Sequence, residues 1–234
     1  MRIGAIQSSF IPWRGYFDFI ASVDVFVFLD DVQYTKRDWR SRNKIKTPKG
    51  TEWLTVPVCY ECRSQLIQQS KIDYSQNWVK QHLNAWQVNY AKSPYYEDVT
   101  KILTGLSSGH EETISQLNIR LIRRICEYLE ISTPMVLSSD LDLSGTKTDR
   151  LIDLLGKLNA TTYLSGPSAD GYLDKDSFRR HGIRLKYKSY DYQPYPQLWG
   201  EFDGAVTVLD LIANCGPESL KFIRSQLPDT IVVQ

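Results

Sequence analysis

Residues Val23–Asp30 read VDVFVFLD, an apolar run closed by acids at both ends. β-branched and aromatic side chains suit an extended chain. A strand with one wet face would alternate apolar and polar residues. This one does not, so it predicts a strand covered on both faces, as in a parallel sheet. Parallel neighbours need a crossover helix, and the upstream residues supply one. Arg2–Gln7 is a short apolar run that predicts the first strand. Gly15–Ser22 carries Tyr16, Phe17, Phe19, Ile20 and Ala21 and predicts a short helix. Strand, helix and strand within about thirty residues make a βαβ unit.

The same alternation continues. Glu52–Val58, Met135–Ser138, Thr161–Leu164 and Ile183–Tyr187 predict strands. Trp78–Tyr90, Glu97–Leu106, Glu111–Leu129, Thr148–Leu158, Val206–Asn214 and Glu218–Ser225 predict helices. Tyr190–Gly200 is an aromatic loop. The expected fold is α/β: a three-layer, largely parallel Rossmann-like sheet with helices on both faces and a helical insertion mid-chain. Residues 1–234 fit one domain, with about 75–130 open to being a helical subdomain. Ligands of such sheets bind at the carboxyl ends of strands, which directs attention to Gln7–Gly15, Asp30–Asn43, Ser138–Thr148 and Ser165–Tyr172.

Bulk charge is uninformative: 28 basic and 27 acidic residues leave a formal +1. Nucleic acid is therefore not an expected partner. No apolar stretch approaches a membrane-spanning length, and MRIGAIQSSF lacks the pattern of a signal peptide. Fourteen Tyr and six Trp are many for 234 residues. They serve a core or a sugar- or base-stacking pocket. Cys59 and Cys62 form a lone C-Y-E-C pair, without the second pair a structural zinc would want. Free thiols are the expectation, and no metal set is assigned.

Chemistry-bearing residues gather at the selected strand ends. Asp30 and Asp31 could serve as base, ribose acceptor or metal ligand, or could simply end a strand. DDVQYTKRDWRSRNKIK packs Lys36, Arg37, Arg40, Arg42, Lys44 and Lys46 between Tyr34 and Trp39, with Asn43 beside them. Guanidinium forks pair with phosphate and aromatic faces take a ring, while a solvated loop is the alternative. His82 is a candidate base on a predicted helix. His110 and His181 are weaker candidates. Ser144–Thr148, with Lys147 and Thr148, opens a helix after a strand. It lacks the Walker pattern, and a simple helix cap explains it equally well. Ser165, Gly166, Ser168 and Tyr172 belong to a second post-strand loop, S-G-P-S-A-D-G-Y, whose glycines allow close approach or a plain turn.

Taken together, IGAIQSSFIPWRGYFDFI, DVFVFLDDVQYTKRDWRSRNKI, WLTVPV, HLNAWQVNYAKSPYY, KTDRLIDLLGKLNATTYLSGPSADGYLD and YPQL with TVLDLIANCG resemble the WbqC-like family. The similarity spans nearly the whole chain and rests on the order and spacing of its segments. One departure is Gln7-Ser8-Ser9-Phe10, where members often carry Gln-Pro-Tyr. Such genes sit in bacterial surface-polysaccharide and O-antigen clusters, so the resemblance implies a cytoplasmic role in making or decorating an activated sugar. It also adds weight to His82, which stands in the family's His-Leu pair. A weaker similarity links Trp13, Gly15 and Tyr16 to the His-X-Gly-His position of nucleotidylyltransferase-like folds, but both histidines are missing.

Three functions follow. The first is a transferase of N-acyl type acting on a nucleotide-linked amino sugar. His82 or Asp30 would be the base, with Asp31 beside it. Ser165–Gly171 would face the oxyanion, and Arg37, Arg40 and Arg42 the diphosphate. Gln7, Trp13, Tyr16, Tyr34, Trp39 and Asn43 complete the expected substrate site. No cofactor motif is evident; an acyl donor or a nucleotide is the co-substrate such a reaction calls for. The second function is a non-catalytic nucleotide-sugar-binding protein. The third is a nucleotidylyltransferase-like enzyme with a divalent metal at Asp30 or Asp31.

Overall fold

The computed structural model describes residues 1–108 and 111–234; His110 lies outside the described residues. The chain opens with β1 (Arg2–Ile6), α1 (Arg14–Ala21) and β2 (Val25–Phe28). It then forms a hairpin, β3 (Arg42–Thr47) and β4 (Gly50–Thr55). The helices α2 (Trp78–Tyr90), α3 (Tyr96–Ser108) and α4 (Ile114–Tyr128) follow. Then come β5 (Met135–Leu137), α5 (Lys147–Lys157), β6 (Thr162–Ser165), α6 (Lys175–Arg180) and β7 (Arg184–Tyr187). The chain ends with α7 (Val208–Cys215), α8 (Leu220–Ile223) and β8 (Thr230–Val233).

Six strands form one sheet in the order β5-β2-β1-β6-β7-β8. The first four pairings are parallel, and only β7–β8 is antiparallel. Counting sheet strands in chain order gives 3-2-1-4-5-6, the order of doubly wound dinucleotide-binding folds. The expected Rossmann-like α/β class therefore holds. The order reverses between β1 and β6, and a crevice opens at their carboxyl ends.

Side chains alternate across the sheet as its pleat requires. Phe26 and Phe28 of β2 join α1, α2, α4 and α7 in one apolar cluster. Val27, with Ile3 and Ala5 of β1, joins α5 and α6 on the other face. This is why VFVF has no polar position. Gly4 lets α1 approach β1: a Cβ there would stand 2.4 Å from the Phe19 ring.

Two elements differ from the sequence reading. Residues 42–47 are a strand rather than part of a basic loop. Asn43 and Ile45 turn inward while Arg42 and Lys44 stay half-buried, so the basic residues hide a two-residue period. The hairpin closes at Gly50, whose φ of 109° a side chain would strain. Glu218–Ser225 is a 3-10 turn over Gly216–Ser219 followed by the single turn α8, not one helix. The strand β8 and the helix α6 add to the elements expected from the sequence. Among the described residues no helix is long and apolar enough to cross a membrane.

Candidate functional site

A cleft of about 1650 Å³ opens at the β1/β6 switch point. One wall is the loop from Gln7 to Trp13 and the start of α1. The opposite wall is the segment after β6, from Ser165 to Leu173. The α5 start, from Gly145 to Leu151, and Trp39 and Arg40 complete it.

The Gln7–Trp13 loop is held from behind. Asp30, at the end of β2, accepts from the Ser8 amide at 2.7 Å and from the Ser115 hydroxyl of α4 at 2.5 Å. The Asn118 amide donates to Ser8 Oγ at 3.2 Å and to the Arg40 carbonyl at 2.8 Å. Asn43 Nδ2 donates to the carbonyls of Phe10 and Ile11. Asn43 thus lines the cleft, but its amide is spent on the loop. Tyr16 donates its hydroxyl to the Gln7 carbonyl at 3.0 Å, and burial, then the Asp30 charge, pushes that phenol well above its ordinary range.

Twelve of the residues expected to bind substrate meet in this cleft: Gln7, Trp13, Tyr16, Trp39, Arg40, Asn43, Lys147, Thr148, Ser165, Gly166, Ser168 and Tyr172. Thr148 does not act as the helix cap; its hydroxyl accepts from the Asp174 amide at 3.1 Å and ties the α5 start to the α6 start.

Three others do not line it. Tyr34 is buried and donates its hydroxyl to Ser41 Oγ at 2.9 Å. Arg42 lies over the Trp53 ring at 4.1 Å. Arg37 is exposed outside the cleft, at a φ of 55°. The basic run is thus largely spent elsewhere. Lys44 also faces Trp53, Lys36 sits 3.5 Å above the Tyr60 ring, and Lys46 donates to Gln197 and to the Glu201 carbonyl. Arg40 alone of that run reaches the cleft.

The residues read as catalytic are placed as follows. Asp30 is buried under the loop with a donor on each oxygen, as above. Asp31 accepts from Ser138 Oγ and from Arg150 Nη2, each at 2.5 Å, tying the ends of β2 and β5 to α5. Adjacent acids thus point to opposite faces of the sheet. His82 is buried on α2 between the Trp78 and Phe10 rings, with Nε2 3.0 Å from the Thr55 carbonyl. Burial lowers its pKa to about 4. The structure does not bring His82 to the cleft; it props the loop from the far side through Phe10.

Among the lining residues not expected from the sequence are Arg14, Arg150, Tyr190 and Tyr192. Arg14 had a signal, because it is the variable residue of the Trp13–Tyr16 motif at a strand's carboxyl end. Tyr190 and Tyr192 meet Trp13 at 5.2 and 5.8 Å between ring centroids, so the aromatic loop folds onto the β1–α1 wall. The lining carries four cations, Arg14, Arg40, Lys147 and Arg150, the last already paired with Asp31, and no aspartate, glutamate or histidine among the described residues. Such a cleft attracts anions and presents flat faces beside them.

A model of the WbqC-like protein family matches residues 7–222. The uncharacterized protein Rv1507c of Mycobacterium tuberculosis (strain ATCC 25618 / H37Rv) is 44% identical over 226 residues, which cover 95% of this chain and 97% of that protein. No solved structure matches. The family model spans the residues of both walls of the cleft, so the chain belongs to the WbqC-like protein family.

Proposed function

We propose that this WbqC-like protein binds a nucleotide-linked amino sugar in the switch-point cleft. In this reading it acts there as a transferase of N-acyl type in cytoplasmic surface-polysaccharide biosynthesis. One observation carries the reading: the cleft lining combines Arg14, Arg40, Lys147 and Arg150, the last paired with Asp31, with aromatic side chains and, among the described residues, no carboxylate. A diphosphate answers the charge, and a base and a sugar answer the flat faces. The volume exceeds the roughly 300–1,000 Å³ of an ordinary small-molecule site, leaving room for donor and acceptor together.

The same charge bears on the chemistry. Nearby cations disfavour an ammonium group, so an amino sugar held here keeps its amine neutral and nucleophilic. Acyl transfer then draws less on a protein base. Segment 165–171 forms the wall opposite that amine in this reading.

The absence of His, Asp and Glu from the described lining supports a second reading, a non-catalytic nucleotide-sugar-binding protein. A divalent metal at Asp30 or Asp31 finds less support, because each carboxylate already accepts protein donors on both oxygens.

Thermal-shift screening against nucleotides, nucleotide sugars and acyl donors tests the proposal. A rise in melting temperature with a nucleotide sugar is expected, followed by mass-detected acyl transfer to its amine. Binding without turnover supports the second reading. No shift with any nucleotide sugar sinks both.

A further inference from the structure

Arg14 carries a full charge at 4% exposure. Its Nη1 donates to the Gln193 carbonyl at 2.8 Å and to the Phe222 carbonyl at 3.1 Å. Its guanidinium lies 4.7 Å from the Tyr192 ring centroid, 5.2 Å from Tyr195 and 5.6 Å from Phe202. No carboxylate pairs with it among the described residues. Two acids near this cage are occupied. Asp18 receives Tyr192 Oη and Lys188 Nζ, and Asp210 receives Tyr195, Gln197 and Tyr90. The cage tyrosines therefore stand between the guanidinium and these carboxylates.

The other edge of the guanidinium has no protein partner among the described residues. Nε is buried with no partner. Nη2 has none among the described residues and faces Gly204, where a Cβ would stand 3.6 Å away. Gly204 lines the cleft together with Arg14. An Nε–Nη2 edge is the face with which arginine grips an oxyanion through two parallel bonds. Aromatic faces offset only part of the desolvation cost of a buried charge. A bound anion would supply the remainder.

We infer that Arg14 holds an oxyanion of the ligand, a phosphate or a carboxylate, with its Nε–Nη2 edge at the Tyr192–Gly204 end of the cleft. This deepens the proposed function and rests on it for the identity of the whole ligand. The assignment adds the residue that opens α1 to Arg40, the one arginine of the Arg37–Arg42 run that lines the cleft.

Calorimetric titration with inorganic pyrophosphate and, separately, with malonate tests it. Two variants are compared with the unaltered chain: R14Q, which removes the charge, and G204V, which keeps the charge but stands a side chain against Nη2. Each is expected to weaken the bound anion at least tenfold. Loss with pyrophosphate assigns a phosphate, and loss with malonate assigns a carboxylate. If R14Q fails to fold, G204V carries the test alone. Affinities within twofold of the unaltered chain for both anions in the folded variants overturn the assignment, as does a lack of binding by the unaltered chain. A nucleotide-linked amino sugar, UDP-glucosamine, separates the two readings. Its retention by R14Q sinks only the Arg14 assignment. Anion binding lost in R14Q, with neither this nor any other screened nucleotide sugar bound by the unaltered chain, sinks only the proposed function.

Discussion

The side-chain amide of Asn43 donates to the carbonyl of Ile11 at 2.7 Å, and Ile11 sits at a φ of 40°. A β-branched residue in the left-handed region is strained and needs its surroundings to hold it there. Asn43 also donates to the neighbouring Phe10 carbonyl at 3.2 Å, so one hairpin residue fixes the backbone of the cleft wall. Asn43→Ala leaves two buried carbonyls without that donor. A loss of about 2–3 kcal/mol in urea-unfolding free energy is expected, together with weaker ligand binding as the loop relaxes.

His82 gives the fold an acid sensitivity. Its pKa is near 4 in the folded chain, against an ordinary 6.5. Because the folded value is depressed, the unfolded chain takes up the proton first. The stability present above pH 6.5 is therefore lost as pH falls from 6.5 toward 4, by up to about 3 kcal/mol. His82→Gln is expected to flatten this slope between pH 7 and pH 5 in unfolding titrations. At pH 7 it should leave nucleotide-sugar affinity within a few fold. A collapse of turnover with unchanged folding and binding would instead restore His82 as a base.

The basic run offers an internal contrast. Arg40 lines the cleft and donates Nη1 to Gln7 Oε1 at 2.5 Å, whereas Arg37 lies outside it. Arg40→Ala is expected to weaken nucleotide-sugar binding by tenfold or more, and to reduce its salt dependence. Arg37→Ala should change neither by more than twofold. Equal losses in both variants, read by calorimetry at two salt concentrations, would show that the exposed run binds the ligand after all.

Gly15 allows the Trp13 indole to lie against the first turn of α1. A Cβ at this position would meet the indole at 2.4 Å. Because Trp13 also packs on Tyr190 and Tyr192, the ring cannot simply swing away. Gly15→Ala is expected to cost about 1–3 kcal/mol by overpacking. It should also shift the tryptophan fluorescence of the folded chain. An unchanged melting temperature would place the indole elsewhere.

Much of the fold was readable because its signals are local. VFVF declares a strand covered on both faces, and Trp78–Tyr90 was read with the bounds that α2 adopts. The hairpin strand at 42–47 was masked because Arg, Lys and Asn dominate it, and only the inward turn of Asn43 and Ile45 betrays the period. The TIVV run of β8 carried a plain β-branched signal that went unread. The site was legible in part. Strand ends selected Gln7, Lys147 and Ser165, which do line the cleft. Residue type selected His82 and the basic run, but burial of His82 and the stacking of Arg42 on Trp53 and Lys36 on Tyr60 settle where those side chains go. The cage of Arg14 was beyond reach, because its walls come from residues 178 or more positions downstream.

The strand order has a consequence for the time course of folding. β1 pairs with β2 some twenty residues on, but also with β6, near residue 162. The wall from Gln7 to Trp13 leaves the ribosome early, and its opposite wall about 160 residues later. Closing so long a loop is slow, and local βαβ units form first. A nascent chain thus carries half a binding site through most of its synthesis. Recognition of any ligand by the whole cleft begins only when β6 docks beside β1.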